Sequence, residues 1–80
     1  MNNVTERVTV CFANVFPGMQ PEEIQRASTA SLAAWDSIAH ITLLSSLSEE
    51  FGVEFAPEDF EELVSFLLIV DYLENRDNHG

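Results

Sequence analysis

One helical pattern, from Ser37 to Phe51, most constrains how this chain can fold. Asp36 precedes the pattern, where a short side-chain acceptor can bond the free amides of a helix's first turn. Gly52 follows it, where a left-handed residue commonly ends a helix. Apolar residues recur at the three-to-four spacing that gives a helix one apolar face, namely Ile38, Ile41, Leu44, Leu47 and Phe51. The sequence therefore predicts a helix with defined ends, and at least one of Ile38 and Ile41 is expected to be exposed near its start.

Ser37 falls in the first turn of this predicted helix. Its hydroxyl is expected to be exposed beside unpaired amides and the positive end of the helix dipole, where proteins often hold anions. A phosphate attached to that oxygen would be stabilised there. From the residues alone, an ordinary structural serine at a helix start is the simplest interpretation, and a modified serine is the alternative.

Three further stretches are predicted to be helical. Residues 3–16 carry apolar residues on one face and end at Pro17-Gly18. Residues 57–63 form a short helix with acids in its first turns, and Ser65 caps a last helix that extends to about residue 75. The inward positions predicted for the first and last helices are Val4, Val8, Cys11, Phe12, Val15, Phe66, Ile69, Val70 and Leu73, with Tyr72 half buried.

The connection between the first two main helices, residues 17–35, lacks strong periodicity. Pro21 can open a short helical turn within it, and Ile24, Ala27 and Leu32 are expected to fold it over the core. No stretch of alternating β-branched residues supports a sheet. The predicted fold is all-α: a small four-helix bundle with three main helices, one short third helix and a long loop between helices one and two.

Length and composition indicate a single domain. Eighty residues, 46% of them hydrophobic, suffice for one core, expected over about residues 3–75 of a domain spanning 1–80. A single cysteine, Cys11, excludes an internal disulfide, suits a reducing compartment and is interpreted as a small core residue. The N-terminus carries no secretory signal pattern, and the longest apolar run, residues 66–70, is too short to span a membrane. We expect a soluble, cytoplasmic monomer.

The charge is strongly acidic and unevenly distributed. The formal net charge is −11, which argues against nucleic acid or anionic lipid as partners because both require a basic surface. Residues 1–35 hold two arginines and three glutamates, a net −1, whereas residues 36–80 hold one arginine and eleven acids, a net −10. Such a surface either keeps a small protein in solution or steers it toward basic patches on partner proteins.

Catalytic and metal-binding interpretations find little support in the residues. Ser37 and His40 are spaced to approach each other on a helix, but Asp36 is used for capping and no nucleophile elbow is present. We therefore expect no catalysis, and we place His40 on the surface beside Ser37. His40, His79 and Cys11 give no recurring metal-ligand spacing, so no metal site is predicted.

The run Trp35-Asp36-Ser37-Ile38 resembles the Asp-Ser-Leu signature of acyl carrier proteins and the related peptidyl carrier domains, with Ile38 in place of the usual leucine. The likeness covers about residues 3–75. It continues through Leu43, Leu47, Glu49-Glu50-Phe51, Phe55, the acidic short helix, Ser65 and Asp71-Tyr72-Leu73.

The resemblance implies that Ser37 accepts 4′-phosphopantetheine from coenzyme A, flanked by Asp36 and Ile38. The thiol of that group would hold an acyl or aminoacyl group as a thioester, and the chain would be a carrier without catalytic activity of its own. The implied partners are a phosphopantetheinyl transferase, a loading enzyme and downstream synthase or transferase enzymes. The implied docking surface lies on helix two and the short acidic helix, through Ile41, Thr42, Ser45, Glu49 and Glu61.

Helix two departs from the carriers of bacterial fatty-acid synthesis. Ala39 and Thr42 stand where those carriers commonly have acids, and Ser45 and Ser48 reduce the charge further. We therefore expect a discrete carrier of a dedicated pathway, making a polyketide, a mixed peptide–polyketide or a specialised lipid. A fatty-acid-synthesis carrier or a peptidyl carrier is the alternative. A helical protein-binding module and a regulatory phosphoprotein modified at Ser37 remain as interpretations from other classes.

Overall fold

Five helices make up the protein in the computed structural model, which describes residues 3–77 and the side chains of residues 4–75. They are α1 Asn3–Val15, α2 Pro21–Gln25, α3 Ser37–Phe51, α4 Pro57–Glu62 and α5 Phe66–Asp77. Residues 3–77 contain no strand, only an isolated bridge between Ser28 and Ser65. The all-α prediction is confirmed, with three main helices as expected. The short helices number two rather than one, because the turn that begins at Pro21 closes into α2.

Both ends of α3 fall where the sequence places them. The Asp36 side chain accepts a hydrogen bond from the Ala39 amide at 2.9 Å, so it satisfies one of the amides that a helix start leaves free. At the other end Gly52 has a φ of +66°, and its amide bonds the Ser48 carbonyl. A residue with a Cβ would be strained in this left-handed conformation. The 15 residues of α3 are therefore fixed in register at both termini.

The core lies where α1, α3 and α5 meet. The predicted inward residues of α5 are all buried. In α1, four of the five are buried and Val15 is partly buried against the core, as is Phe51 of α3. Phe12 lies at the centre: its ring centroid is 5.2 Å from that of Trp35 and 5.4 Å from that of Phe66, both edge-to-face, a favourable arrangement for aromatic rings.

The long connection is held against the start of α5 by backbone hydrogen bonds. The Phe66 amide bonds the Ala27 carbonyl at 3.0 Å, and the Thr29 amide bonds the Val64 carbonyl at 2.9 Å. Ile24 and Ala27 are buried, as expected, and Leu32 packs against the core. The segment that leads to α3 is thus part of the packed domain.

Arg7 joins α1 to the end of α3. Its Nε donates to the Glu50 carboxylate at 2.8 Å, its Nη2 donates to the Glu50 carbonyl at 2.6 Å, and its guanidinium lies 4.2 Å from the centroid of the Phe51 ring. A cation at a helix C-terminus interacts favourably with the helix dipole. The side chains of the pair are more than two-fifths exposed, so its contribution to stability is small.

We expect Phe12→Ala to lower the free energy of unfolding by about 3–5 kcal/mol, since it removes a fully buried ring and leaves a cavity. Urea unfolding followed by circular dichroism measures the loss. Val10→Ala is the matched control, because Val10 lies on the same helix and is 59% exposed; its expected effect is within about 0.5 kcal/mol. Similar losses in the two variants would contradict this account of the core.

Candidate cofactor-attachment site

Ser37 is the first residue of α3, and its side chain is exposed. The first hydrogen bond of the helix joins the His40 amide to the Asp36 carbonyl at 2.8 Å, and the Asp36 side chain occupies the Ala39 amide. The amides of Ser37 and Ile38 belong to the same first turn, where no carbonyl of the helix can reach them. The hydroxyl thus lies at the positive end of a 15-residue helix, in surroundings that fit an attached phosphate.

His40 is buried, not on the surface as the sequence analysis expected. Its side chain is 9% exposed and both ring nitrogens are engaged: Nδ1 accepts from the Trp35 indole Nε1–H at 2.9 Å, and Nε2 lies 2.7 Å from the Phe60 carbonyl. Because Nδ1 accepts from an indole N–H, Nε2 carries the proton and donates to Phe60. The physical reason for the burial is spacing, since His40, Leu43, Leu44 and Leu47 form the inward row of α3.

Trp35 anchors the chain just before the serine. Its side chain is 3% exposed and packs on Phe12 and Phe16 of the α1 segment. Asp36 alone separates this buried residue from Ser37, whose side chain is exposed. Trp35 was predicted only as part of the motif around Ser37, and its structural role was not predicted. The presence of a lone tryptophan immediately before a helix cap was the signal that pointed to an anchor.

A cleft of about 560 Å³ runs beside the serine, between the end of α1 and the start of α3. Asp36 and Ile38, the two neighbours of Ser37, both line it. A second cleft of about 450 Å³ lies on the other side of α3, toward α4, where its lining includes Glu49, Glu54 and Phe60. The first cleft has Asp36 as its one charged lining residue, whereas the second carries two glutamates.

The exposed face of α3 changes character along its length. Near Ser37 it is apolar and uncharged: Ile38 is 77% exposed and Ile41 is 55% exposed, which agrees with the expectation that at least one of them faces solvent. Thr42 and Ser45 are exposed beyond them. The first acid of α3 is Glu49, and the exposed acids Glu58, Glu61 and Glu62 follow on α4.

The residues considered for catalysis are not brought together. Asp36 bonds the Ala39 amide, and both His40 nitrogens are occupied by Trp35 and Phe60, so His40 has no free nitrogen to accept a proton from Ser37. Of the residues considered for a metal site, His79 lies outside the described residues. Within the described part of the chain, no group of three or more His, Cys, Asp or Glu side chains could hold a metal ion.

Cys11 belongs to the core, as the sequence analysis expected. Its side chain is 4% exposed. Burial raises the pKa of the Cys11 thiol, outweighing the hydrogen bond with Ser46 and the charge of Arg7, which lower the pKa. Because the thiolate is the reactive form, a raised pKa makes this thiol a poor nucleophile.

Comparison with known proteins identifies the class of protein that this fold and site define. The family model described as "Phosphopantetheine attachment site" matches residues 7–73. The chain is 26% identical over 76 residues to an acyl carrier protein of Buchnera aphidicola subsp. Schizaphis graminum, covering 95% of this chain and 96% of that protein. It is 30% identical over 76 residues to an acyl carrier protein of Thermosynechococcus vestitus, covering 94% and 93%.

The chain therefore belongs to the phosphopantetheine attachment family and is a phosphopantetheine-bearing carrier of the acyl carrier type. Members of this class carry groups and do not catalyse reactions themselves. Membership implies a phosphopantetheinyl transferase and synthase enzymes as partners. In the part of the chain that the structure describes, no helix has the length and apolar character needed to cross a membrane.

We expect Asp36→Ala to lower the free energy of unfolding by about 1 kcal/mol, because the variant loses the side-chain bond to the first turn of α3. Asp36→Asn keeps an oxygen that can accept the same bond and should retain most of the stability. Urea unfolding of the unmodified protein measures both. Equal losses in the two variants would assign the effect to the carboxylate charge instead of the capping bond.

Proposed function

We propose that Ser37 is the residue to which 4′-phosphopantetheine is attached. The observation that carries this proposal is the exposed hydroxyl on the first residue of α3, preceded by the Asp36 cap and anchored by buried Trp35. The match of the attachment-site family model to residues 7–73 supports it, because that range includes the serine. Asp36 and Ile38 flank the attachment point and line the cleft beside it.

Ser37 takes part in the attachment as the nucleophile. Its Oγ bonds to the phosphorus that carries the pantetheine half of coenzyme A, and the bond from this phosphorus to the bridging oxygen of the diphosphate breaks. A phosphodiester remains on Ser37, and adenosine 3′,5′-bisphosphate leaves. A base on the transferase takes the hydroxyl proton, since His40 is fully hydrogen-bonded within the protein. When bound, the group supplies the thiol that holds an acyl or aminoacyl cargo as a thioester.

The carrier acts as one domain over residues 1–80, as a cytoplasmic monomer. Its pathway is a dedicated one that makes a polyketide, a mixed peptide–polyketide or a specialised lipid, and a fatty-acid-synthesis or peptidyl carrier is the alternative. The feature that favours a dedicated pathway is the absence of acids from the first part of α3, where Ala39 and Thr42 replace the acids common in bacterial fatty-acid carriers. Both relatives named above are called acyl carrier proteins without a named cargo, so they are compatible with either pathway.

The docking surface has an apolar part and an acidic part. Ile38 and Ile41 form the apolar part next to Ser37, and Thr42 and Ser45 continue it as a neutral surface. Glu49 and Glu61 form the acidic part. Glu49 lies twelve positions after Ser37 on the helix, a rise of about 18 Å. A fitting partner presents an apolar rim at its active-site entrance and basic side chains about 18 Å from that entrance, where opposite charges speed association.

Intact-protein mass spectrometry tests the attachment site. Incubation with coenzyme A, magnesium and a promiscuous phosphopantetheinyl transferase should add one phosphopantetheinyl mass to the wild-type protein and none to Ser37→Ala. Peptide mapping should place the added mass on the peptide that contains Ser37. A regulatory phosphoprotein would instead gain only a phosphate, from a kinase.

Two controls make a negative result informative. A carrier of known activity, treated in parallel, shows that the transferase is active, and circular dichroism shows that Ser37→Ala keeps its helices. If both the wild type and Ser37→Ala were modified, the attachment site would be a residue other than Ser37. No modification of the wild type by either a promiscuous or a more selective transferase would refute the proposal and favour the protein-binding module.

We expect Ile41→Ala to raise the KM of the transferase for this carrier several-fold with little change in kcat, since a contact in the apolar part of the docking surface is lost while Ser37 stays in place. Steady-state kinetics with coenzyme A measures both constants. Val10→Ala is the matched control, because Val10 is similarly exposed but lies on α1. An equal KM for the two variants would exclude Ile41 from the docking surface.

A further inference from the structure

Helix α4 is held by polar contacts on two sides and by Phe60, which packs partly buried against the core. The buried residue of this six-residue helix is Asp59. The Asp59 carboxylate accepts from the Ala56 amide at 2.8 Å and from the Tyr72 hydroxyl of α5 at 3.0 Å. On the other side, the Phe60 carbonyl accepts from His40 of α3 at 2.7 Å. A six-residue helix that buries one polar residue of its own can open locally more readily than the three main helices.

The bond between His40 and Phe60 fills a specific need at the end of α4. Carbonyls in the last turn of a helix lack an amide partner within the helix, and Phe60 lies in the last turn of α4. His40 Nε2–H supplies the missing donor from α3. The imidazole ring also packs edge-to-face on the Phe60 ring, with centroids 6.1 Å apart, and lies 5.7 Å from the Trp35 ring.

His40 lies where a group tethered to Ser37 would enter the bundle. It is three residues after Ser37 and is the first buried residue of α3. A carried group that turned inward at the start of α3 would meet this ring before the buried leucines, because the cleft between α3 and α4 begins one turn further along, at Leu44. Displacing the ring would leave the Trp35 indole N–H and the Phe60 carbonyl without their partners in a buried setting, which is unfavourable for both.

We propose that His40 determines cargo specificity by closing the interior of the bundle, so that the carried group stays outside the helices. This inference rests on the proposed attachment at Ser37. Short or polar acyl and aminoacyl groups are the cargo that such a carrier suits. A long alkyl chain would stay in contact with water, and contact between apolar surface and water is unfavourable. The cleft between α1 and α3, whose lining is largely uncharged, offers a surface outside the core for the arm to lie on.

Nuclear Overhauser measurements on the loaded protein test the proposal. The transferase and ¹³C-labelled hexanoyl-coenzyme A load a hexanoyl arm onto the wild-type chain, and contacts are sought between the hexanoyl methylenes and the methyl groups of Leu43, Leu47 and Leu63. These three side chains are buried. We expect no contacts with them in the wild type, whether or not contacts occur in the cleft between α1 and α3. Contacts with the buried leucines in the wild type would overturn the proposal.

His40→Ala should reverse this behaviour. Without the ring, the hexanoyl chain should enter between α3 and α4, give contacts with the buried leucines, and make the thioester hydrolyse several-fold more slowly than in the wild type. Leu67→Ala is the control, because Leu67 is 69% exposed on α5; it should match the wild type in both measurements. A folded His40→Ala protein whose hexanoyl chain still avoids the leucines would overturn the role given to His40. If that variant does not fold, the wild-type measurement still decides whether the interior is closed.

Intact mass of the same samples separates the two proposals. A wild-type chain that gains no hexanoyl-phosphopantetheinyl mass refutes the attachment at Ser37, and this inference with it. A chain that gains the mass and then shows contacts with the buried leucines refutes only the closed interior.

Discussion

The hydrogen bond from the Trp35 indole to His40 is the contact on which the geometry around the serine depends. Trp35 is fixed in the core by the rings of Phe12 and Phe16, and His40 belongs to the inward row of α3. The bond between them spans residues 36–39, which include Asp36 and Ser37. It therefore holds the segment before the helix against the first turn of the helix itself. Since His40 also bonds Phe60, the same ring sets the position of α4 relative to the serine.

This arrangement places a reactive oxygen on a rigid support while leaving it exposed. A carrier must offer its serine, and later its cargo, to several enzymes in turn, so the residues around the attachment point need a fixed shape that different partners can recognise. The Asp36 cap and the buried Trp35 indole fix this shape, and both belong to the domain itself. The proposed docking surface at Ile38 and Ile41 can then be apolar and exposed, because the buried side chains of α3 lie on the opposite face.

Most of the fold could be predicted from the sequence because its signals are local. Asp36 and Gly52 mark the ends of α3, Pro17-Gly18 ends α1, and regular apolar spacing gives the inward faces of α1 and α5. The burial of His40 was missed because a histidine beside a serine suggests chemistry at a surface. Its partners, Trp35 and the Phe60 carbonyl, come from the loop before α3 and from α4. A bond between a side chain and the backbone of a residue twenty positions away leaves no pattern in the sequence.

The candidate site was only partly predictable from the sequence. The serine and its cap follow from helix-start chemistry, and the family resemblance named the cofactor. The exposure of both isoleucines could not be read from spacing alone, since Ile38 and Ile41 fit an apolar row that includes Leu44 and Leu47. Which of these residues face the core depends on how α3 packs against α1 and α4, and this packing is not visible in the spacing.

The ion pair between Arg7 and Glu50 bears on how the acidic charge of the domain affects its stability. Among the described side chains it is the one ion pair, in a chain of net charge −11 whose radius of gyration is 11.6 Å. The screening length of water falls from about 30 Å at 0.01 M salt to about 8 Å at 0.15 M, so at low salt most of the acids repel one another across the whole molecule. The folded state is thus partly maintained by the surrounding counterions, and a basic partner that replaces them on binding stabilises the carrier that it recognises.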